Sequence, residues 1–306
     1  MAVGFALDAG GNHTFTYGVS QGGLRYGYHD GSNWTSSTIA TGSFTGEASS
    51  LIYVDGTPHV VYGQDIGTTI GFYHAWLDGD TWLNQSISDS STWPRHSALA
   101  ADADGNLAAA WLDEHEHGTD DDTLDFAFFD GSSWTTQSVS TSLLIRGNLD
   151  LIVAGAASEA SLAYIDMQPG IFMPSEPTWA ERSGGTWNSD VGLGGVATDI
   201  FAEYISATLT PEGNPAVAYI DTWNGGLHYA VRTESGWTVE TVDPMMPAMA
   251  YSDRRYTAMA TDDWGYIHLL YFDPDANELK YRYRDSEGWS SARTIANAAA
   301  HWLSLE

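Results

Sequence analysis

Side chains able to do chemistry are concentrated in a few stretches of this 306-residue chain. One is Asp113-Glu114-His115-Glu116-His117-Gly118-Thr119-Asp120-Asp121-Asp122. An extended His-x-His directs both imidazoles to one side, so His115 and His117 suit Zn2+ or Cu2+ if a third ligand such as His96 or Asp113 approaches. The same stretch also reads as a solvated acidic loop. A second set comprises Glu47, Trp93-Pro94-Arg95-His96, Arg146, Glu203-Tyr204, Arg254-Arg255-Tyr256 and His301-Trp302. Arg95, Arg146, Arg254 and Arg255 stand out in a chain of net charge −29, because a guanidinium held there implies an anion, either a ligand or a neighbouring carboxylate.

Those carboxylates recur in one setting: Asp113 after Trp111, Asp166 after Tyr164, Asp221 after Tyr219 and Asp273 after Tyr271. An Asp at a strand end accepts backbone N–H bonds from the following turn, whereas a ring of such carboxylates would suit a hard cation such as Ca2+. His96 or Tyr256 could serve as the base that removes a proton beside a uronate carboxylate neutralised by Arg255, which is lyase chemistry. Trp93, Tyr204, Tyr256 and Trp302 would equally serve as stacking platforms without any catalysis. The stretch Met167 to Pro174 is apolar and proline-bearing, and reads as the wall of a cleft or as a contact for another subunit.

Composition narrows the classes that these groups can serve. With 43% apolar residues the chain can bury a substantial core. A net charge of −29 repels phosphate backbones and anionic lipid, which excludes nucleic acid and membrane as expected partners. Only one of the 11 cations is a lysine, Lys280, and so acidic a surface fits high ionic strength or simply an acidic secreted protein. Cysteine is absent, so no disulfide framework, thiolate metal site or cysteine nucleophile exists. No window approaches a membrane span, and Met1 to Asp8 lacks the basic and long apolar regions of a signal peptide, so a mature soluble product is expected, with any leader absent from this sequence.

The elements that must position these side chains follow from an internal repeat. A Gly-rich turn followed by Trp appears six times, at Trp34, Trp82, Trp134, Trp187, Trp237 and Trp289. The intervals are 48, 52, 53, 50 and 52 residues. Each repeat holds four strand-like runs. The third alternates most cleanly, as in Leu279-Lys280-Tyr281-Arg282-Tyr283-Arg284, with apolar and basic residues on opposite faces. Helical spacing is nowhere sustained, and 32 glycines punctuate the chain. The expectation is all-β: a six-bladed β-propeller of four antiparallel strands per blade, because a ring, unlike a linear array, leaves no exposed sheet ends. One domain, 1–306, is expected, with repeats at about 1–44, 45–92, 93–145, 146–199, 200–250 and 251–306. Two terminal segments, Val3 to Asp8 and His301 to Leu305, compete for the first strand of the first blade.

Units such as Tyr256-Thr257-Ala258-Met259-Ala260, Gly213-Asn214-Pro215-Ala216-Val217-Ala218-Tyr219-Ile220-Asp221 and Leu227-His228-Tyr229-Ala230 resemble the propeller repeats of uncharacterised secreted bacterial proteins, distantly similar to the sialidase-like superfamily. The resemblance spans the whole chain and bears on fold. The turn before the fourth strand here reads Asp-Gly-x-x-Trp, one residue tighter than the sialidase turn Ser-x-Asp-x-Gly-x-Thr-Trp. Tyr204 with Glu203 beside arginines resembles the tyrosine nucleophile and carboxyl-binding arginines of sialidases, an exception to the two-carboxylate glycosidase scheme. Adjacent residues of a strand face opposite ways, so Glu203 can polarise Tyr204 only where the chain is not extended.

Loops that join the second strand to the third, and crossovers between blades, vary from repeat to repeat, so one asymmetric site is expected on that side. The expected function is carbohydrate processing there, of glycoside hydrolase or polysaccharide lyase type. The alternatives are a non-catalytic carbohydrate-binding module and a protein-interaction scaffold. Candidate catalytic residues are His96, Glu203, Tyr204 and Tyr256; candidate ligand contacts are Trp93, Arg95, Arg146, Arg254, Arg255, His301 and Trp302. Asp113, His115 and His117 are candidate ligands for a divalent cation, Ca2+ or Zn2+. The expected partners are a carbohydrate or other small molecule, with a protein partner also open, and the expected location is extracellular.

Overall fold

A computed structural model describes residues 4–19, 22–42, 45–46, 48–67, 70–90, 93–114, 122–145, 148–167, 174–198, 200–244, 256–273, 276–297 and 305. Among the described residues twenty-five strands fall into two compact units, 1–143 with 153–160 and 306, and 144–152 with 161–305. In the first unit, β1 (Phe5–Leu7), β2 (His13–Val19), β3 (Gly23–His29) and β4 (Trp34–Ala40) form one antiparallel meander. Then β5 (Ser49–Val54), β6 (Thr57–Asp65), β7 (Ile70–Asp78) and β8 (Thr81–Ser90) form the second. β9 (Trp93–Ala101), β10 (Leu107–Glu114), β11 (Asp122–Phe129) and β12 (Trp134–Ile145), whose last two residues belong to the second unit, form the third. The pairing of β1 with β2, Phe5 opposite Phe15, shows that the N-terminal segment supplies the first strand of the first sheet.

The second unit repeats the plan. Its sheets are β13 (Asp150–Ile152), β14 (Ser161–Met167), β15 (Ser175–Ser183) and β16 (Thr186–Asp190), then β17 (Ala202–Leu209), β18 (Pro215–Asp221), β19 (Leu227–Thr233) and β20 (Gly236–Asp243). The last is β21 (Thr257–Thr261), β22 (Ile267–Asp273) and β23 (Glu278–Asp285), with a fourth strand in two pieces, β24 (Gly288–Trp289) and β25 (Arg293–Ala296). Leu144 and Ile145, the end of β12, pair with Met167 and Asp166 of β14, beside which β13 also pairs. A crossover thus adds to the first-strand position of the fourth sheet.

Turn chemistry explains the tight links. Asp55 and Gly56 both take positive φ, 49° and 78°, between β5 and β6, the two-residue hairpin that Asp-Gly favours because its twist matches that of the strands. At Gly23 a Cβ would meet the Ala40 carbonyl oxygen at 2.0 Å, so only glycine lets β3 start beside β4.

The core lies between successive sheets. Leu24 and Tyr26 pack with Leu51, Val60 and Ala75 between the first two; Val61 and Phe72 pack with Leu99, Ala109 and Trp111 between the next two. In the second unit, Ala163, Trp179, Ile205 and Val217 join the fourth sheet to the fifth, and Tyr229, Met259, Leu269 and Tyr271 join the fifth to the sixth. Runs of alanine such as Ala108-Ala109-Ala110, all fully buried, suit strands packed on both faces, since small side chains let the sheets approach.

The repeated tryptophan has a defined role in this packing. Trp82 meets Tyr26 of the preceding sheet edge-on at 5.2 Å and donates to Ser37. Trp134 meets His74 at 5.4 Å, Trp237 meets Trp179 at 6.0 Å and Trp289 meets Tyr229 at 5.3 Å. The indoles of Trp237 and Trp289 donate to Asp190 and Glu240 of the sheet before. Trp34 instead lies on Phe15 and His29 of its own sheet and is 56% exposed.

Candidate functional site

Three sequence-predicted residues, Glu203, Tyr204 and Tyr256, come together in the second unit, at the start of β17. Glu203 pairs opposite Ile220 and Ser206 opposite Ala218, so Tyr204 and Ile205 together face the single residue Tyr219. This is a β-bulge, which locally breaks the ladder and re-aims a side chain. Tyr204 takes φ 52°, a left-handed conformation that costs a bulky residue free energy. The chain is therefore not extended at Tyr204, which is the condition for Glu203 and Tyr204 to work together. The Tyr204 ring lies 4.5 Å from that of Tyr256, tilted by 51°. Tyr256 is buried, and Tyr204 and Glu203 keep part of their surface.

Flanking the same strand pair, β17 and β18, is an aromatic pair with one exposed ring that the sequence reading did not single out. Trp223, 54% exposed, sits in the turn from β18 to β19, with the Phe201 ring 5.2 Å away. The turn is mounted rigidly. Buried Asp221 accepts the N–H groups of Trp223 and Asn224 at 2.9 and 3.1 Å and the Asn224 side-chain amide at 2.8 Å. Thr222 donates both its N–H and its hydroxyl to the Phe201 carbonyl. Nearby His228 stacks on Tyr219 at 5.4 Å; burial lowers its pKa, opposed by the charge of Asp221. The signal was present in Asp221-Thr222-Trp223-Asn224-Gly225-Gly226, where a large aromatic amid turn-forming residues has no core to enter.

Of the other expected residues, Trp93, Arg95 and His96 lie in the first unit on β9. His96 pairs opposite Leu112 and Pro94 opposite Asp113, so Arg95 is the extra residue of a second bulge and is exposed. Burial, reinforced by the Arg95 charge, pushes the His96 pKa down to about 4 and keeps the imidazole neutral at pH 7. Asp113, Asp166, Asp221 and Asp273 are all buried at the ends of their second strands. The contacts of Asp221 and Asp273 match the turn-capping reading, whereas Asp113 meets an indole of its own strand. Besides the turn held by Asp221, the Ala276 N–H donates to Asp273 at 3.2 Å, and the Trp111 indole donates to Asp113 at 3.3 Å. Arg146, Arg254, Arg255, His301, Trp302, His115 and His117 lie outside the described residues, as do Glu47 and most of the Met167 to Pro174 stretch. Among the described residues no three His, Asp or Glu side chains group closely enough to hold a metal ion.

The basic face of β23 has a structural use. Lys280 bonds Asp273 at 2.7 Å and lies 3.9 Å from both Asp243 and Glu278, while Arg282 lies 3.7 Å from Asp243 and Arg284 lies 3.3 Å from Glu240. Tyr271 completes the network by donating to Asp243 at 2.5 Å. This network ties the sixth sheet to the fifth.

No family model matches the sequence, and no curated protein does. Solved structures do match in fold. The chain is similar to AofleA from Arthrobotrys oligospora, at TM-score 0.57 and 13% identity over 97% of this chain and 86% of that one. It is also similar to the six-bladed β-propeller fucose lectin of Aleuria aurantia, at TM-score 0.54 and 12% identity over 98% and 96%. The intramolecular trans-sialidase of Ruminococcus gnavus matches at TM-score 0.53 and 11% identity over 94% of each chain. With six successive antiparallel meanders of four strands among the described residues, the chain has the six-bladed β-propeller fold, similar in structure to that lectin and that trans-sialidase.

Proposed function

We propose that this protein binds carbohydrate, and that the saccharide lies against Trp223 and Phe201 at the β18–β19 edge of the second unit, next to the Tyr204–Tyr256 pair. One observation carries the reading: a half-exposed indole backed by a second ring and fixed by a buried-carboxylate turn. The apolar face of a sugar ring stacks on such a surface, while Asn224, Glu203 and the tyrosine hydroxyls supply polar groups at its rim. The fold is shared with proteins named as fucose-binding lectins, which supports this class of ligand. An extracellular setting suits it.

The test is an array of neutral, aminated and acidic oligosaccharides probed with the wild-type protein and with Trp223→Ala. Saturable binding by wild type is expected. The substitution should raise the half-saturating concentration at least tenfold, about 1.4 kcal/mol, with the thermal midpoint unchanged because the ring is exposed. Equal binding by both proteins would overturn the placement, and silence across the array would overturn the function.

Carbohydrate processing is the second reading, favoured by the left-handed Tyr204 beside Glu203, since strained backbone gathers at functional sites. In that case Tyr204→Phe should abolish turnover of a glycoside or polyuronate substrate while leaving binding on the array intact. His96 with a pKa near 4 is a weak base at neutral pH, so this reading rests on Tyr204.

A further inference from the structure

We infer that Asn148, Asp150 and Thr257 are positioning residues that hold Tyr204 in its left-handed conformation, making its ring a preset saccharide contact; this rests on the carbohydrate-binding reading above. A β-bulge leaves backbone groups without ladder partners, and a tyrosine at positive φ relaxes to the extended region unless its flanks are held. Here both flanks are held by side chains from the neighbouring sheets. Asn148 grips Ile205, the residue after Tyr204, from both sides: its Nδ2 donates to the Ile205 carbonyl at 2.5 Å, and its Oδ1 accepts the Ile205 N–H at 3.0 Å.

Two residues on, Asp150 accepts the Ala207 N–H at 2.8 Å while its other oxygen accepts the Leu151 N–H at 2.9 Å. A spacing of two places Asn148 and Asp150 on one side of an extended segment, so they act as a short side-chain ladder along β17. From the opposite side the Thr257 hydroxyl donates to the carbonyl of Tyr204 itself at 3.1 Å, and Ser206 donates to Thr257 at 3.1 Å. Ile205 and Ser206 are buried and the remaining partners partly so, so breaking these bonds leaves backbone polar groups poorly satisfied. The arrangement orders the Tyr204 ring against Tyr256 before any ligand arrives, which removes an ordering cost from binding.

Crystal structures of Asn148→Ala and of the near-isosteric Thr257→Val, alongside the same oligosaccharide array, test this. In either variant the φ of Tyr204 is expected to return to negative values, with its ring leaving Tyr256. The half-saturating concentration on the array should rise at least tenfold with the thermal midpoint shifted by only a few degrees. Retention of the left-handed conformation in both variants would overturn the clamp. Unaltered array binding by a variant whose Tyr204 has relaxed would overturn the contact role, even with the Trp223→Ala result as expected. Silence of the wild type would end both the proposed function and the contact role, and the backbone result would still decide the clamp.

Discussion

At the residue scale, burial sets two opposite pH dependences. His74, buried beside Trp76 and Trp134 with His59 at 2.9 Å, has its pKa pushed down to about 3 by desolvation and then by the His59 charge. The unfolded chain takes up a proton near 6.5 that the folded one refuses, so this contribution to stability is lost as the pH falls below 6.5. Asp150 behaves oppositely. Burial raises its pKa from 3.8 to about 6 despite bonds from Ala207 and Leu151, so the folded state favours the protonated form and stability declines as the pH rises from 3.8 through 6. Each effect approaches about 1.4 kcal/mol per pH unit inside its window. Urea titrations from pH 4 to 7 should show Asp150→Asn gaining on wild type as the pH rises. His74→Phe should gain on wild type as the pH falls. A constant offset for either variant would remove that residue from the account.

At the element scale, identical sequence signals have different energetic weight because of what the neighbouring sheet offers. Trp237 is 7% exposed, wedged on Trp179 and donating to Asp190, so Trp237→Ala should cost about 3–5 kcal/mol by the cavity left and the bond lost. Trp34 follows the same kind of Gly-containing turn but is 56% exposed on its own sheet, so Trp34→Ala should cost under about 1 kcal/mol. Chemical denaturation of the two variants measures the contrast, and equal losses would refute the wedge. The bulges in β9 and β17 belong to this scale as well. Arg95 and Tyr204 stood out by residue type, but they lie inside β9 and β17, the first strands of their sheets, and not in the crossovers between blades. Their local geometry was not legible, because a bulge follows from how two strands count against each other and leaves no mark in either strand alone.

For the whole molecule the dominant quantity is net charge. At −29 the chain repels itself, and the Lys280, Arg282 and Arg284 pairs neutralise only the region between the fifth and sixth sheets. Screening by salt should therefore stabilise the fold, with a thermal midpoint that climbs between 0.02 and about 1 M NaCl as the Debye length falls to ~3 Å. A midpoint that stays flat or declines would show that local ion pairs outweigh the overall repulsion.

The spacing of Trp34, Trp82, Trp134, Trp187, Trp237 and Trp289 was enough to establish six repeats, and the period-two alternation of runs such as Leu279 to Arg284 was enough to make them strands. Both follow from local rules, because turn residues and side-chain alternation act over a few positions along the chain. Tertiary structure decided which of these side chains meet. Asn148 reaches Ile205 across 57 residues and Thr257 reaches Tyr204 across 53, so the clamp on Tyr204 exists only once separate sheets are packed. Trp223 likewise gained its place when the Asp221 turn brought it beside Phe201, a juxtaposition that no single segment encodes.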